Sequence, residues 1–479
     1  MSAVTVPEGS EDRRLTAAPA AAGLRRRPGG PVPLWWRDAS AVLAWLSVLF
    51  VVALWVAGGG LTAFGSLGEA LINLGRLTGL VASVLLLLQV LLMARIPFVE
   101  QAWGQDELAR VHRLVGFTSF NLMLAHIVLT VLGYSAGTDL GFVATFIDQV
   151  LHSPGMLLAL AGTVALVLVV VTSVRKARAR LRYESWHLLH LYAYLGAGLA
   201  LPHQLWTGAD FRSSVTATVF WWGLYAAALG SVIAFRVVLP LVRSLRHRLV
   251  VSEVVAESPT VTSIVMTGRR LDRLPARAGQ FFQWRFLDGP GWSRAHPYSL
   301  SAAPDGRSLR ITAEHVGDAS ARLAALRRGT KVLVEGPYGR LHAGVRTRDK
   351  QVLIAAGIGI TPMRALLEEL PAGPDATVVI YRVGSQADVV LAAELLDLAR
   401  AKGARVVAVV GHRQRDRASW LPAEASRLGD GEALTRIVPD IADRDVYICG
   451  NPAWMDTVIA AAKEVGVPST SIHHERFSY

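Results

Sequence analysis

The chain has 479 residues, 52% of them hydrophobic and 18% charged, with a mean hydropathy of +0.37 and a formal net charge of +12. That length is too great for one domain. A single cysteine, Cys449, excludes structural disulfides and any cysteine-ligated iron–sulfur cluster built by this chain alone.

Residues 1–38 are rich in Ala, Pro, Gly and Arg without apolar periodicity, the pattern of a disordered basic tail. Six apolar segments follow, at 41–61, 71–93, 111–132, 155–174, 187–203 and 215–239. Each is close to the roughly 20 residues that a bilayer requires; the fifth is the shortest and most polar. The first is too long for a signal-peptide core and lacks a small-residue cleavage site, so it is expected as a retained anchor. Arg25, Arg26, Arg27, Arg95, Arg110, Arg113, Arg175, Lys176, Arg178, Arg180, Arg182, Arg243 and Arg246 fall on alternate connections. The opposite connections, 59–69, 135–153 and 204–211, carry no Lys or Arg. The positive-inside rule then gives a cell-membrane protein with six spans and both termini cytoplasmic. Much of the positive charge thus marks topology and lipid contact, and no basic soluble face points to nucleic acid.

Ionisable side chains inside spans are usually functional, and two spans carry paired histidines. His112 and His126 are 14 residues apart, His190 and His203 13 apart. On helices either spacing is roughly 20 Å, so two such helices side by side present two cross-helix pairs at two depths, a ladder for two haems. Fourteen residues return within about 40° of the starting face, whereas 13 fall about 140° off it. The fifth helix must therefore be distorted for His190 and His203 to face one way, and Pro202 is the ready cause. His187 is a rival ligand, no better in phase. Arg76, in the second span, needs an anionic partner or must snorkel to the outer surface.

From 248 onward, β-branched runs at 249–255, 261–266, 280–286 and 309–314 predict an antiparallel barrel. Beyond 350, strands at 351–356, 377–381, 405–410 and 445–449 alternate with helices at 362–370, 389–401 and 453–465. That is the pattern of a doubly wound α/β sheet. The expected domains are 1–38 (tail), 39–247 (all-α transmembrane bundle), 248–345 (β-barrel) and 346–479 (α/β).

Five motifs carry the chemistry. In His296-Pro297-Tyr298-Ser299-Leu300-Ser301 an aromatic ring and hydroxyls share a strand, suited to a flavin and equally to an ordinary sheet. Gly317 and Ser320, before a helical pattern at 321–326, form either an anion site or a plain N-cap. Gly336-Pro337-Tyr338-Gly339 reads as a turn closing the barrel. Gly357-Ile358-Gly359-Ile360-Thr361-Pro362 lies between a strand and a helix, the context of a dinucleotide site. Cys449-Gly450-Asn451-Pro452 ends a strand where such sheets bind ligands, although a lone cysteine there is often buried and inert. The last residues, His473 to Tyr479, form an aromatic tail that is expected to dock rather than fray.

In this order the motifs resemble those of the ferric reductase and NADPH oxidase superfamily, from about Arg37 to the end of the chain. The resemblance implies a six-helix di-haem domain fused to a ferredoxin-reductase-type module that binds FAD and NADPH or NADH. It pairs His112 with His190 and His126 with His203 on two b-type haems and sets Arg76 at a propionate or near the acceptor. It implies that Tyr298 stacks on the flavin, Ser299 lies near its reactive nitrogen, and His296 replaces an arginine of the soluble reductases. Pro297 and Ser301 accompany them, and Gly317 with Ser320 bind the pyrophosphate. Gly357, Gly359, Thr361, Pro362, Gly450 and Pro452 belong to the nicotinamide site, with Cys449 beside the nicotinamide. Glu475-Arg476-Phe477 matches the family's terminal motif, with Glu475 at the reaction centre and Phe477 over the flavin; the two following residues leave Tyr479 as an alternative cover. The implied activity is NAD(P)H-dependent transmembrane electron transfer to ferric iron or a chelate, with O2 or a partner protein as alternative acceptors. Arg382, Arg413 and Arg415 suit a 2′-phosphate and favour NADPH.

Overall fold

The computed structural model describes residues 35–178, 183–289 and 291–476. They form two compact units. The membrane unit comprises residues 34–99 and 107–236; the reductase unit comprises 100–106 and the chain from Val237 onward.

The helices up to the reductase sheet are α1 (Trp35–Ala57), α2 (Leu67–Met93), α3 (Pro97–Trp103), α4 (Gln105–Ser135), α5 (Phe142–His152), α6 (Met156–Ser173), α7 (Arg175–Arg178), α8 (Tyr183–Trp206) and α9 (Val215–Val232). A π-helical turn, Ile233–Val238, runs on into α10 (Leu239–His247). Five stretches among the described residues are long and apolar enough to cross a membrane: α1, α2, α4, α6 and Val215–His247. The 24-residue α8 is not among them, because its polar residues dilute its hydropathy. Leu43, Leu114, Val164, Leu195 and Val219 are exposed on these helices, as lipid-facing side chains should be.

Without a hydrophobic drive between helices in lipid, small residues and hydrogen bonds hold such bundles together. A Cβ on Gly162 of α6 would lie 2.7 Å from the Gly196 carbonyl oxygen of α8, and one on Gly196 would lie 3.0 Å from that of Gly162. On α2, a Cβ at Gly75 would meet Thr130 Oγ1 at 2.6 Å and one at Gly79 would meet His126 Nδ1 at 2.6 Å. Ser119 Oγ donates to the Ala82 carbonyl at 3.0 Å, and Gln204 Nε2 donates to Ser83 Oγ at 3.1 Å while Gln204 Oε1 accepts from the Tyr225 hydroxyl.

The reductase unit begins with six strands: β1 (Leu249–Ser258), β2 (Val261–Thr267), β3 (Phe281–Phe286), β4 (His296–Ser299), β5 (Ser308–Glu314) and β6 (Lys331–Tyr338). They pair antiparallel in the order β4-β3-β6-β1-β2-β5 around Ile264, Met266, Phe282, Trp284, Leu300 and Ile311. The two edge strands meet just past β4, through a bridge between Leu300 and Ile311 and a 2.8 Å bond from Ser301 N–H to the Arg310 carbonyl. Gly336, Pro337 and Tyr338 lie within β6, so the chain turns later than expected, at Gly339. Between β5 and β6 a single α-helical turn, α11 (Asp318–Ala321), passes into a 3₁₀ turn, Arg322–Ala325.

The second sheet is parallel: β7 (Gln351–Ala356), β8 (Thr377–Val383), β9 (Arg405–Val410), β10 (Asp445–Cys449) and β11 (Ile472–His474), in the order β11-β10-β7-β8-β9. Side-chain alternation sends Val352 and Ile354 of β7 to one face, against α14 (Asp430–Ile437) and α15 (Pro452–Glu464). Leu353 and Ala355 face α12 (Ile360–Glu369) and α13 (Ala392–Lys402) on the other. Burial of each large aliphatic stabilises the sheet by about 1.5–3 kcal/mol. The tail docks as the edge strand β11.

Gly162→Ile should destabilise the membrane unit in detergent by about 1–3 kcal/mol through overpacking. Gly198→Ala, on the facing helix α8 with no atom within 4 Å of its Cβ, should be neutral or mildly stabilising. Thermal unfolding of the two variants checks the contrast; equal losses would remove the close-approach argument.

Candidate functional site

Helices α4 and α8 bring the four histidines together in two pairs. The ring centres of His112 and His190 are 6.0 Å apart, and those of His126 and His203 are 6.4 Å apart. A metal–imidazole bond is about 2.0 Å and a ring nitrogen lies about 1.2 Å from its ring centre, so two imidazoles on one iron sit about 6 Å apart. The pairs therefore fit bis-histidine ligation.

The other ring nitrogens agree. His112 Nδ1 lies 3.2 Å from the Gln89 carbonyl, His126 Nδ1 2.7 Å from the Gly75 carbonyl, His190 Nδ1 3.3 Å from Ser173 Oγ, and His203 Nδ1 2.6 Å from Thr207 Oγ1. A carbonyl only accepts, so His112 and His126 carry the proton on Nδ1 and present an Nε2 lone pair. Among the described residues, the hydrogen bonds of all four rings run through Nδ1. Helix α8 continues through Pro202, which lacks the N–H that would bond to the Gly198 carbonyl. Gly155, at φ +82°, packs against the Pro202–His203 backbone, where its Cβ would lie 2.8 Å from His203 N. His187 belongs to neither pair.

Arg76 finds an anion within the chain. Its Nε and terminal nitrogen donate to the two oxygens of Asp210 at 2.9 and 2.5 Å. A bidentate carboxylate within the chain is thus a partner of the guanidinium, beside the haem propionate, acceptor region or outer surface that the sequence suggested.

In the barrel, Tyr298 and His296 lie on one face of β4 with ring centres 6.4 Å apart. The Tyr298 carbonyl is fixed by Trp284 Nε1 at 2.9 Å, and burial pushes its phenol up to about 12. The Ser299 hydroxyl has no hydrogen-bond partner among the described residues. Ser301, also expected as a ligand, is instead fully buried, its Oγ accepting from Arg310 Nε at 3.1 Å and from Thr312 Oγ1 at 2.8 Å. Pro297 is half-buried between His296 and Tyr298. Ser320 turns its Oγ onto the N–H groups of Val316 and Gly317 at 3.0 and 3.1 Å. Its hydroxyl also donates to the Gly317 carbonyl at 2.9 Å, closing the one-turn helix on itself, and Gly317 has no atom within 4 Å of its Cβ position.

In the parallel sheet, strand order reverses between β7 and β10, and open α/β sheets bind ligands at such a switch point. Both expected motifs end there. Gly357 has φ +53° with open space around its Cβ position, and a Cβ on Gly359 would lie 2.4 Å from the Cys449 carbonyl oxygen. Gly450 is hemmed by the Trp454 ring at 2.8 Å. Thr361 caps the turn through the Ile358 carbonyl at 3.0 Å, Pro362 sits in the first turn of α12, and Pro452 begins α15 under the Asn451 cap. Burial, with the Glu475 carboxylate as the smaller cause, pushes the Cys449 thiol up to about 12. Glu475 Oε2 accepts from Arg340 N–H at 3.0 Å and anchors the tail. Phe477 and Tyr479 lie outside the described residues.

Several partners escaped sequence reasoning. Asp210 is distant in sequence from Arg76, and Glu394 holds Arg310 through two bonds of 2.8 and 2.9 Å between barrel and α/β sheet. Burial works against the Glu394 charge, yet Arg310 and Arg364 hold its carboxyl below the ordinary value. Arg382 spends its guanidinium on the Val383, Val409 and His412 carbonyls. Arg413 and Arg415, the other two candidates for a 2′-phosphate, are exposed. One local signal was legible: the Gly75–Gly79 spacing that makes room for His126.

Residues 78–201 match the ferric reductase like transmembrane component, and residues 353–460 match the oxidoreductase NAD-binding domain. A flavohemoprotein of Xylella fastidiosa is 29% identical over 48% of this chain, which spans 58% of that relative's length. The ferredoxin reductase component of a 3-ketosteroid-9-alpha-monooxygenase from Mycolicibacterium smegmatis is 31% identical over 47% of this chain and 64% of its own. The solved flavohem-like FAD/NAD binding domain of nitric oxide dioxygenase from Vibrio cholerae is 28% identical, covering 48% of this chain and 99% of that chain, at a TM-score of 0.40. The chain thus joins a region similar to a ferric reductase like transmembrane component to a region similar to an oxidoreductase NAD-binding domain, the architecture found in ferric reductases and NADPH oxidases.

Proposed function

We propose that this chain moves electrons from cytoplasmic NADPH or NADH across the membrane to an extracytoplasmic one-electron acceptor, ferric iron or a ferric chelate. The observation that carries the reading is the pair of cross-helix imidazole contacts at 6.0 and 6.4 Å. Helix α8 is the sixth span of this reading, with both chain ends in the cytoplasm. The similarity of residues 78–201 to a ferric-reductase-like component favours iron as the acceptor.

FAD, when bound, divides a two-electron donor into single electrons, which two b-type haems can pass on. His112 and His190 hold the haem nearer the cytoplasm, His126 and His203 the outer one. Two histidines per haem would leave the iron to carry electrons rather than bind the acceptor, so the haems would supply one-electron transfer. Tyr298 covers the flavin ring, and the unpartnered Ser299 hydroxyl bonds to it. The Gly357–Gly359 turn and the N-terminus of α12 receive the dinucleotide phosphates. Cys449 packs beside the nicotinamide as a neutral thiol, Glu475 fixes the tail, and Phe477 is the aromatic cover.

Full-length protein should contain two haems, with b-type absorbance bands reducible by NADPH or NADH, and His203→Leu should retain one. Pyridine haemochrome assay reads this directly; no haem in the wild-type protein would sink the proposal. In oriented vesicles, Fe(II) should appear on the outer side when nicotinamide is supplied on the inner. Superoxide without Fe(II) would make the protein an oxidase, and activity only on adding a membrane or periplasmic protein would make it an electron-transfer subunit. Alkylation of Cys449 by iodoacetamide at pH 8 should be at least tenfold slower in the native protein than in urea. Its folded thiol titrates well above the ordinary 9.0, so its contribution to stability is complete below about pH 9 and is lost as pH rises toward 12. Equal native and denatured rates would contradict this.

A further inference from the structure

The two pairs differ in how their rings are held. In the His126–His203 pair the Nδ1 contacts are 2.7 and 2.6 Å; in the His112–His190 pair they are 3.2 and 3.3 Å. Both members of the first pair also have a threonine one helical turn later, Thr130 and Thr207. The corresponding positions after His112 and His190 are Gly116 and Tyr194.

The threonine protons can be placed by elimination. Thr207 Oγ1 lies 2.7 Å from the His203 carbonyl oxygen and 2.6 Å from His203 Nδ1. Two oxygens at that separation need a proton between them, and only the hydroxyl has one to give. Thr207 therefore donates to the carbonyl and accepts from His203 Nδ1–H, leaving Nε2 as a lone pair. Thr130 likewise donates to the His126 carbonyl at 2.6 Å, but its Oγ1 is 3.5 Å from His126 Nδ1, which the Gly75 carbonyl already occupies.

Resting on the bis-histidine reading above, we propose that Thr207 is a positioning residue for the outer haem. It locks His203 in the Nδ1–H tautomer and, with the Gly75 carbonyl, makes the outer haem the one of lower midpoint potential. A strong acceptor at Nδ1–H increases the electron donation of Nε2 and so favours the oxidised metal. The longer contacts of the other pair, 3.2 and 3.3 Å, do this less. A more reducing outer haem drives transfer to a one-electron acceptor at its edge.

The test is a spectroscopic redox titration of the full-length, haem-loaded protein, with low-spin EPR. Thr207→Val keeps the side-chain shape and should raise the lower midpoint while the higher one stays. It should also shift the EPR g-values of that haem alone, and Thr207→Ser should restore both. Thr130→Val should move the lower midpoint less. Two bound haems with unchanged midpoints in Thr207→Val would overturn the inference while leaving the haem assignment intact; absence of haem from the wild-type protein would instead remove the assignment itself. If Thr207→Val loses the outer haem, the remaining one decides. Titration at the higher wild-type midpoint supports the inference, and titration at the lower one overturns it.

Discussion

An imidazole in hydrocarbon must satisfy two ring nitrogens, and much of the membrane unit is arranged around that requirement. A polar group without a partner in lipid costs several kcal/mol, so four histidines on α4 and α8, once in a bilayer, demand eight accounted-for nitrogens. Backbone carbonyls and hydroxyls lie at Nδ1 in every case, and the rings face each other in pairs across α4 and α8. The glycines of α2, the close approach of α6 to α8 and the hydrogen bonds of Gln204 all bear on where those two helices lie.

The same device, absence of a side chain, shapes both units for different ends. Gly79 yields space to the His126 ring, and Gly162 with Gly196 lets two backbones approach. In the reductase unit, Gly359 and Gly450 draw the ends of β7 and β10 together, while Gly357 leaves its surroundings open. Packing glycines and ligand-facing glycines differ in what an added Cβ would meet, and only the folded chain distinguishes them.

Polar residues divide in a similar way. Arg76, Ser301, Ser320 and Arg382 look available as ligands when read along the chain, yet each spends its donors or acceptors on an internal partner. Ser299, two residues from Ser301, has no such partner among the described residues. Alternation along a strand would put both hydroxyls on one face; the barrel seam past β4 separates their fates, because Ser301 is drawn into the Arg310–Thr312 network.

The order of domains, the strands 351–356, 405–410 and 445–449, and both histidine pairings were legible in the sequence, since periodicity, turn residues and loop charge are local signals. The short helices α5 and α14 and the edge strand β11 escaped because each is stabilised by tertiary contact more than by its own pattern. Spacing alone left His190 and His203 out of phase on a regular helix, and folding resolved it by bringing each against its α4 partner, along an α8 that passes through Pro202 with the Gly155 backbone packed beside it. Which residues are candidates for the chemistry was written locally; which polar atoms find partners within the chain was decided by residues such as Asp210, Arg310 and Thr312, because hydrogen-bond capacity is shared out only when distant segments meet.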